Sequence, residues 1–155
     1  MLGLQNRQGG WTQFVIIDHY ARFLPATAKG SLLHIGADIG QEAQGYEIAG
    51  FRLIQWVEAD PQTFERLTSN LASRDRTRHR AFCALITAGS GDKRKFYRFS
   101  NGGSSSVYRS NQYWAELIPD VRETGTSIEL DEVSLDEFVQ RNGLTPGVLV
   151  IDVQG

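Results

Sequence analysis

Two apolar runs, each closed by a different kind of residue, most constrain what this chain can fold into. The first is Leu32-Leu33-His34-Ile35, closed by the glycine turn Gly36-Ala37-Asp38-Ile39-Gly40. The second is Trp56-Val57, closed by Glu58-Ala59-Asp60-Pro61. A helix-compatible segment lies between them. Strand, tight turn, helix, strand and carboxylate, in that order, are how a doubly wound parallel sheet holds an adenosine-bearing ligand. Glycines let the backbone approach where a Cβ would collide, and a helix that follows offers N–H groups there. Glu58, at the end of its strand, is placed to accept hydrogen bonds from both hydroxyls of a ribose.

Elimination narrows the nucleoside. A dinucleotide fingerprint needs glycine at 36, 38 and 41, where the chain has Gly36, Asp38 and Gln41. No Gly-Lys-Ser/Thr of a phosphate-binding loop occurs. Gly-x-x-x-Gly followed by a strand-ending acid fits S-adenosylmethionine, whose cationic methionine end needs no pyrophosphate cradle. The bland alternative is a βαβ unit whose glycines only make its turn.

At 155 residues, 41% hydrophobic and 22% charged, the chain is long and apolar enough for one domain with a real core. A net charge of -2 argues against nucleic acid held by bulk electrostatics. The single cysteine, Cys83, excludes a disulfide framework and a cysteine-rich zinc site, and its apolar surroundings predict a buried thiol. No apolar run is long enough for a membrane span and no signal-peptide pattern is present, so the cytoplasm is the expected compartment.

In chain order, a polar tail over Met1–Gly10 precedes a helical pattern at Phe14, Ile17, Tyr20, Ala21 and Leu24, which carries His19. Residues 1–30 are read as tail and helix, and 31–155 as the ligand-binding domain. Strands are expected at Ser31–Ile35, Arg52–Val57, Arg80–Thr87, Arg94–Phe99 (as half of a hairpin), Ser127–Leu130 and Val148–Ile151. Short helices are expected at Gln41–Ala49, after Asp60-Pro61 as N-cap and first turn, and after the capping box Ser134-Leu135-Asp136-Glu137. Arg74–Arg80 is a basic turn, read as a solvated loop because no aromatic stacking platform accompanies it. Ser100–Ser106 is a small-residue loop, facing a ligand or serving as a connector. Tyr113, Trp114, Leu117 and Ile118 form an apolar cluster that would cover part of a pocket.

Taken together, the chain resembles the FkbM-type methyltransferase family, S-adenosylmethionine-dependent enzymes on the class I Rossmann-like fold. The resemblance runs from about Leu32 to Gly155. It rests on Gly36-Ala37-Asp38-Ile39-Gly40-Gln41-Glu42, Glu58-Ala59-Asp60-Pro61, Ser69-Asn70-Leu71, Ser104-Ser105-Ser106, Ser134-Leu135-Asp136-Glu137-Phe138 and Ile151-Asp152-Val153-Gln154-Gly155. It implies methyl transfer to a hydroxyl of a sugar or polyketide-like acceptor. Gly36, Ala37, Gly40, Glu58 and Ala59 would bind the cofactor, and Ser104, Ser105 and Ser106 would contact the acceptor. Asp152, at the end of strand 4, would be the base, with orienting the substrate, binding a metal as in some class I O-methyltransferases, or capping the next helix as alternatives. No metal site is expected, and the partners implied are a small molecule or glycan, with neither nucleic acid nor membrane.

Two departures stand out. His34 occupies the place of an acid that in the family helps to orient the amino end of the cofactor, and Asp38 replaces a common asparagine. The class I order 3-2-1-4-5-7-6 also implies strands beyond Gly155. The chain is therefore expected to be the N-terminal part of a longer sheet, strands 1–4 with a hairpin insertion, inactive by itself. The rival readings are a nucleotide-binding Rossmann-type domain and a non-catalytic interaction module that retains the fold.

Overall fold

The computed structural model describes residues 21–153, apart from the side chains of Gln112 and Trp114. The N-terminal tail, His19 and most of the helical pattern around it, and Gln154-Gly155 lie outside the described residues. Four parallel strands form the main sheet: β1 (Ser31–Ile35), β2 (Leu53–Glu58), β3 (His79–Cys83) and β7 (Val148–Ile151), in the order β3-β2-β1-β7. A second sheet has the order β4-β6-β5, from β4 (Leu85–Thr87), β5 (Lys93–Phe99) and β6 (Glu123–Ser134). The mixed α/β architecture with a mostly parallel central sheet is the Rossmann-like arrangement expected from the sequence.

Alternation along β1 and β2 explains the layers. Leu32, Ile54 and Trp56 face helices α1 (Ala43–Ile48) and α2 (Pro61–Leu71), where they pack with Tyr46, Phe51 and Leu67. Leu33, Ile35 and Val57 point the other way, onto Phe138 of helix α4 (Leu135–Arg141). The strands are buried on both faces, which is why they read as unbroken apolar runs. Each large side chain removed from water contributes about 1.5–3 kcal/mol. On β7, Leu149 and Ile151 are exposed.

Caps and turns follow local chemistry. The Asp60 carboxylate accepts from Gln62 N–H at 2.9 Å, and Pro61 opens α2 where no N–H is needed. Arg98 on β5 clamps the same carboxylate through two bonds of 2.7 Å, tying the small sheet to the start of α2. Ser134 caps α4 by accepting from Glu137 N–H. The reciprocal half of that capping box is absent, because Ser134 N–H donates to Ser90 and Glu137 pairs with Arg141. In the basic turn, Arg74 pairs with Glu47, and Arg78 donates to the carbonyls of Phe51 and Glu47.

Several expectations need correction. The segment expected as one strand over Arg80–Thr87 is two, broken at Ala84, and β3 and β4 belong to different sheets. The β5 strand pairs antiparallel with β6, across an intervening short helix, α3 (Gln112–Leu117). The strand expected at Ser127–Leu130 is the middle of the 12-residue β6. The first helix is shorter than its pattern, six residues from Ala43 to Ile48. Cys83 is exposed, because the last residue of β3 lies where the main sheet ends and the chain turns away. Tyr113 and Leu117 are exposed.

Candidate functional site

The site lies at the C-terminal ends of β1, β2 and β7, where the glycine turn is fastened to the end of β2. Gly36 and Ala37 N–H both donate to the Val57 carbonyl, at 2.9 and 3.0 Å. Asp38 N–H donates to Glu58 Oε2 and Asp60 N–H to Glu58 Oε1, each at 2.9 Å. The Glu58 side chain is thus aimed by two backbone amides from either side of it. Burial raises its carboxyl above the ordinary range, and the amides of Asp60 and Asp38 pull the other way. The turn's amides are thus largely turned inward onto β2.

The turn exists because of what its residues lack. Gly36 has φ of +82°, and a Cβ there would lie 2.0 Å from the Asp152 carbonyl oxygen. The end of β7 therefore crosses directly over the turn, and Asp152 N–H donates to the Ile35 carbonyl at 2.9 Å. Gly40 has φ of +75°, and a Cβ there would meet Leu67 at 2.7 Å. Asp38 takes a left-handed φ of +44°, a conformation that Asp tolerates better than most residues.

Beside this junction opens a cavity of about 320 Å³. Its floor is Gly36, Asp38, Glu58, Ala59 and Asp152. Val57, Ala84, Leu85 and Ile86 give it an apolar lining. The opposite side is Arg94 and Phe96 of β5 with Ser105, Ser106 and Tyr108. The serine loop is held to β5, since Ser106 exchanges backbone bonds with Tyr97 at 2.7 and 3.0 Å. The Ser105 hydroxyl accepts from Phe99 N–H, and that of Ser106 accepts from Tyr108 N–H. Gly103 faces Asp38 across the opening, a Cβ there lying 3.8 Å from the Asp38 carboxylate.

Of the residues singled out from the sequence, Gly36, Glu58, Ala59, Ser105, Ser106 and Asp152 line one cavity. Ala37 is fully buried behind it, Gly40 packs on α2, and Ser104 does not line it. Sequence reasoning missed Arg94, Phe96 and Tyr108. The alternation at Arg94–Phe99 marked a strand, but nothing local said which sheet it joins.

A buried polar group lies under the turn. His34 is 1% exposed, and its Nδ1 is 3.0 Å from the Tyr46 hydroxyl. Burial lowers its pKa to about 4, against a smaller opposing effect of the Asp152 charge, so the ring is neutral. Glu42 is 4% exposed and its carboxyl is raised to about 7, first by burial and further by the negative charges of Asp152 and Asp38. Among the described residues, His34 Nε2 and Glu42 Oε2 have no hydrogen-bond partner.

Among the described residues no group of three or more His, Cys, Asp or Glu is arranged to hold a metal, and no helix is long and apolar enough to cross a membrane. No curated protein and no solved structure matches the chain. The family model described as the methyltransferase FkbM domain matches residues 34–155, a span that includes all four strands of the main sheet from His34 onward and every residue that lines the cavity. The chain belongs to the FkbM-domain family of methyltransferases.

Proposed function

We propose that the protein transfers a methyl group from S-adenosylmethionine to a hydroxyl of a small-molecule or glycan acceptor, of the sugar or polyketide class. The observation that carries this reading is Glu58. A carboxylate offers about four lone-pair sites, and two are taken by the Asp38 and Asp60 amides. The Ala59 amide also lies against this carboxylate, and the capacity that remains would serve a hydroxyl of a ribose. The apolar wall of Val57, Ala84, Leu85 and Ile86 would take the adenine ring. When bound, S-adenosylmethionine supplies a methyl group on a sulfonium centre, already activated for displacement.

The chain's own work is then to bind, to align and to take a proton. Gly36 lets the Asp152 backbone close over the turn, Ala59 lies on the cavity floor, and Ala37 and Gly40 would support that floor from behind. Asp152, exposed at the end of β7, is the group proposed to orient the acceptor hydroxyl and accept its proton. Ser105 and Ser106 line the side from which an acceptor would enter, with Ser104 in the turn before them.

Calorimetric titration with S-adenosylmethionine tests this. Wild-type protein is expected to bind it and to ignore a dinucleotide. Glu58→Ala is expected to weaken binding about 10- to 150-fold, the equivalent of losing a charge-assisted hydrogen bond worth roughly 1.5–3 kcal/mol. Unchanged affinity in the variant would remove Glu58 from the site.

A further inference from the structure

The cavity carries charge of both signs, and the two signs come from different sheets. Asp38, Glu58 and Asp152 belong to the ends of main-sheet strands and the turn between them. Arg94 comes from β5 of the small sheet, and among the described residues it is the one cation in the lining. The Tyr108 phenol, which also lines the cavity, lies near its guanidinium.

The way Arg94 is held sets it apart from other paired arginines of the chain. Arg98 spends Nε and Nη2 on Asp60, and Arg109 spends the same two nitrogens on Glu123. Arg94 spends only Nε, which donates to Glu132 Oε2 at 2.8 Å. Glu132 is itself fixed: its side chain is 2% exposed, and the same oxygen accepts from the Thr87 hydroxyl at 2.8 Å. Gly89 packs so closely on it that a Cβ there would lie 2.6 Å from Oε1. A guanidinium has five N–H donors, and the four on Nη1 and Nη2 are taken by no hydrogen bond among the described residues. The Asp92 carboxylate reaches Arg94 only through its charge. Neutralising Glu132 accounts for Nε and leaves the rest of the group, on a side chain 57% exposed, without a task. That free edge presents parallel N–H groups that match two oxygens of a carboxylate or phosphate.

We propose that the acceptor carries an oxyanion besides the hydroxyl that is methylated, and that Arg94 binds this second group. This rests on the methyl-transfer reading above and names the class of acceptor, an acidic sugar bearing a carboxylate or a phosphate monoester. The acids beside the glycine turn repel an anion and the guanidinium attracts it, so the acceptor enters one way round. Its oxyanion lies toward β5 and its hydroxyl toward Asp152. A neutral acceptor would gain no such orientation from the charges of the cavity.

Sugars that differ in one group test this. Glucose, glucuronate and glucose 6-phosphate are titrated by calorimetry into wild-type protein loaded with S-adenosylhomocysteine. At least one acidic sugar is expected to bind tenfold or more tightly than glucose, and the tighter of the two tells carboxylate from phosphate. The double variant Arg94→Gln with Glu132→Gln removes both charges and leaves no buried carboxylate unpaired. It is expected to abolish the preference while affinity for S-adenosylhomocysteine stays within twofold of wild type. Equal affinity for all three sugars, no binding of either acidic sugar, or a preference that survives in the double variant would overturn the proposal. The wild-type comparison needs no variant to fold. If S-adenosylhomocysteine does not bind wild-type protein, the cofactor reading fails instead, and the same three sugars are compared on the bare protein.

Discussion

The crossing of β7 over the glycine turn has a measurable price in stability. Gly36→Ala adds a methyl group that would sit 2.0 Å from the Asp152 carbonyl oxygen and 2.8 Å from its carbon. These are backbone atoms on a strand paired to β1, so no flexible side chain can swing away. Two costs add. A left-handed φ of +82° costs an L-residue about 1–2 kcal/mol, and forcing atoms into a packed junction typically costs about 1–3 kcal/mol more. The sum, roughly 2–5 kcal/mol, is a large share of the ~5–15 kcal/mol that holds a domain together. Gly50→Ala is the matched control, because Gly50 has φ of +89° but a Cβ there meets nothing within 4 Å. It should lose about 1–2 kcal/mol. For a chain of this size each kcal/mol lowers the unfolding midpoint by about 2–4 °C, so thermal unfolding followed by circular dichroism resolves the two variants. If Gly36→Ala costs no more than Gly50→Ala, the end of β7 does not approach the turn and the cavity floor is wrongly assembled.

Two further outcomes follow from the same residues. Asp152→Asn should lower methyl transfer by well over tenfold while cofactor affinity falls much less, since the group acts on the acceptor; equal loss in rate and in calorimetric affinity would reassign it. His34 and Glu42 should give opposite slopes of stability against pH. The unfolded chain protonates His34 near 6.5 and the folded chain only near 4, so this residue's contribution is lost as pH falls between them, by about 3 kcal/mol. The folded chain protonates Glu42 near 7 and the unfolded chain near 4.5, so its contribution is lost as pH rises across that window, by a similar amount. The two nearly cancel in wild type. Urea unfolding from pH 4 to 7 should therefore show a rising slope unmasked in Glu42→Gln and a falling one in His34→Asn, and identical profiles in all three proteins would contradict both assignments.

What was legible in the sequence is what local chemistry decides. The bounds of β1 and β7, the Asp60-Pro61 start of α2 and the Ser134 cap could be read directly, because each depends on neighbours a few residues away. The positions of Glu58 and Asp152 at strand ends came from the same reading. What was hidden depends on distant partners. Ala84 divides an apolar run that has no turn residue in it, because the chain must leave one sheet for another. Residues Glu123–Thr126 carry no apolar alternation, yet they extend β6. Glu42 stood in the sequence only as the end of the glycine-turn motif, and only the tertiary fold buries it.

The backbone carbonyl of Glu58 accepts from Ala84 N–H at 3.0 Å, at the residue where the chain passes from the main sheet to the small one. One residue therefore anchors three segments distant in sequence: Asp38 and Asp60 through its carboxylate, Ala84 through its carbonyl. Those three amides belong to a single opening event, so their deuterium uptake should rise and fall together. Their shared exchange rate is a clock for the assembly of the site, readable in the bare protein before any acceptor is known.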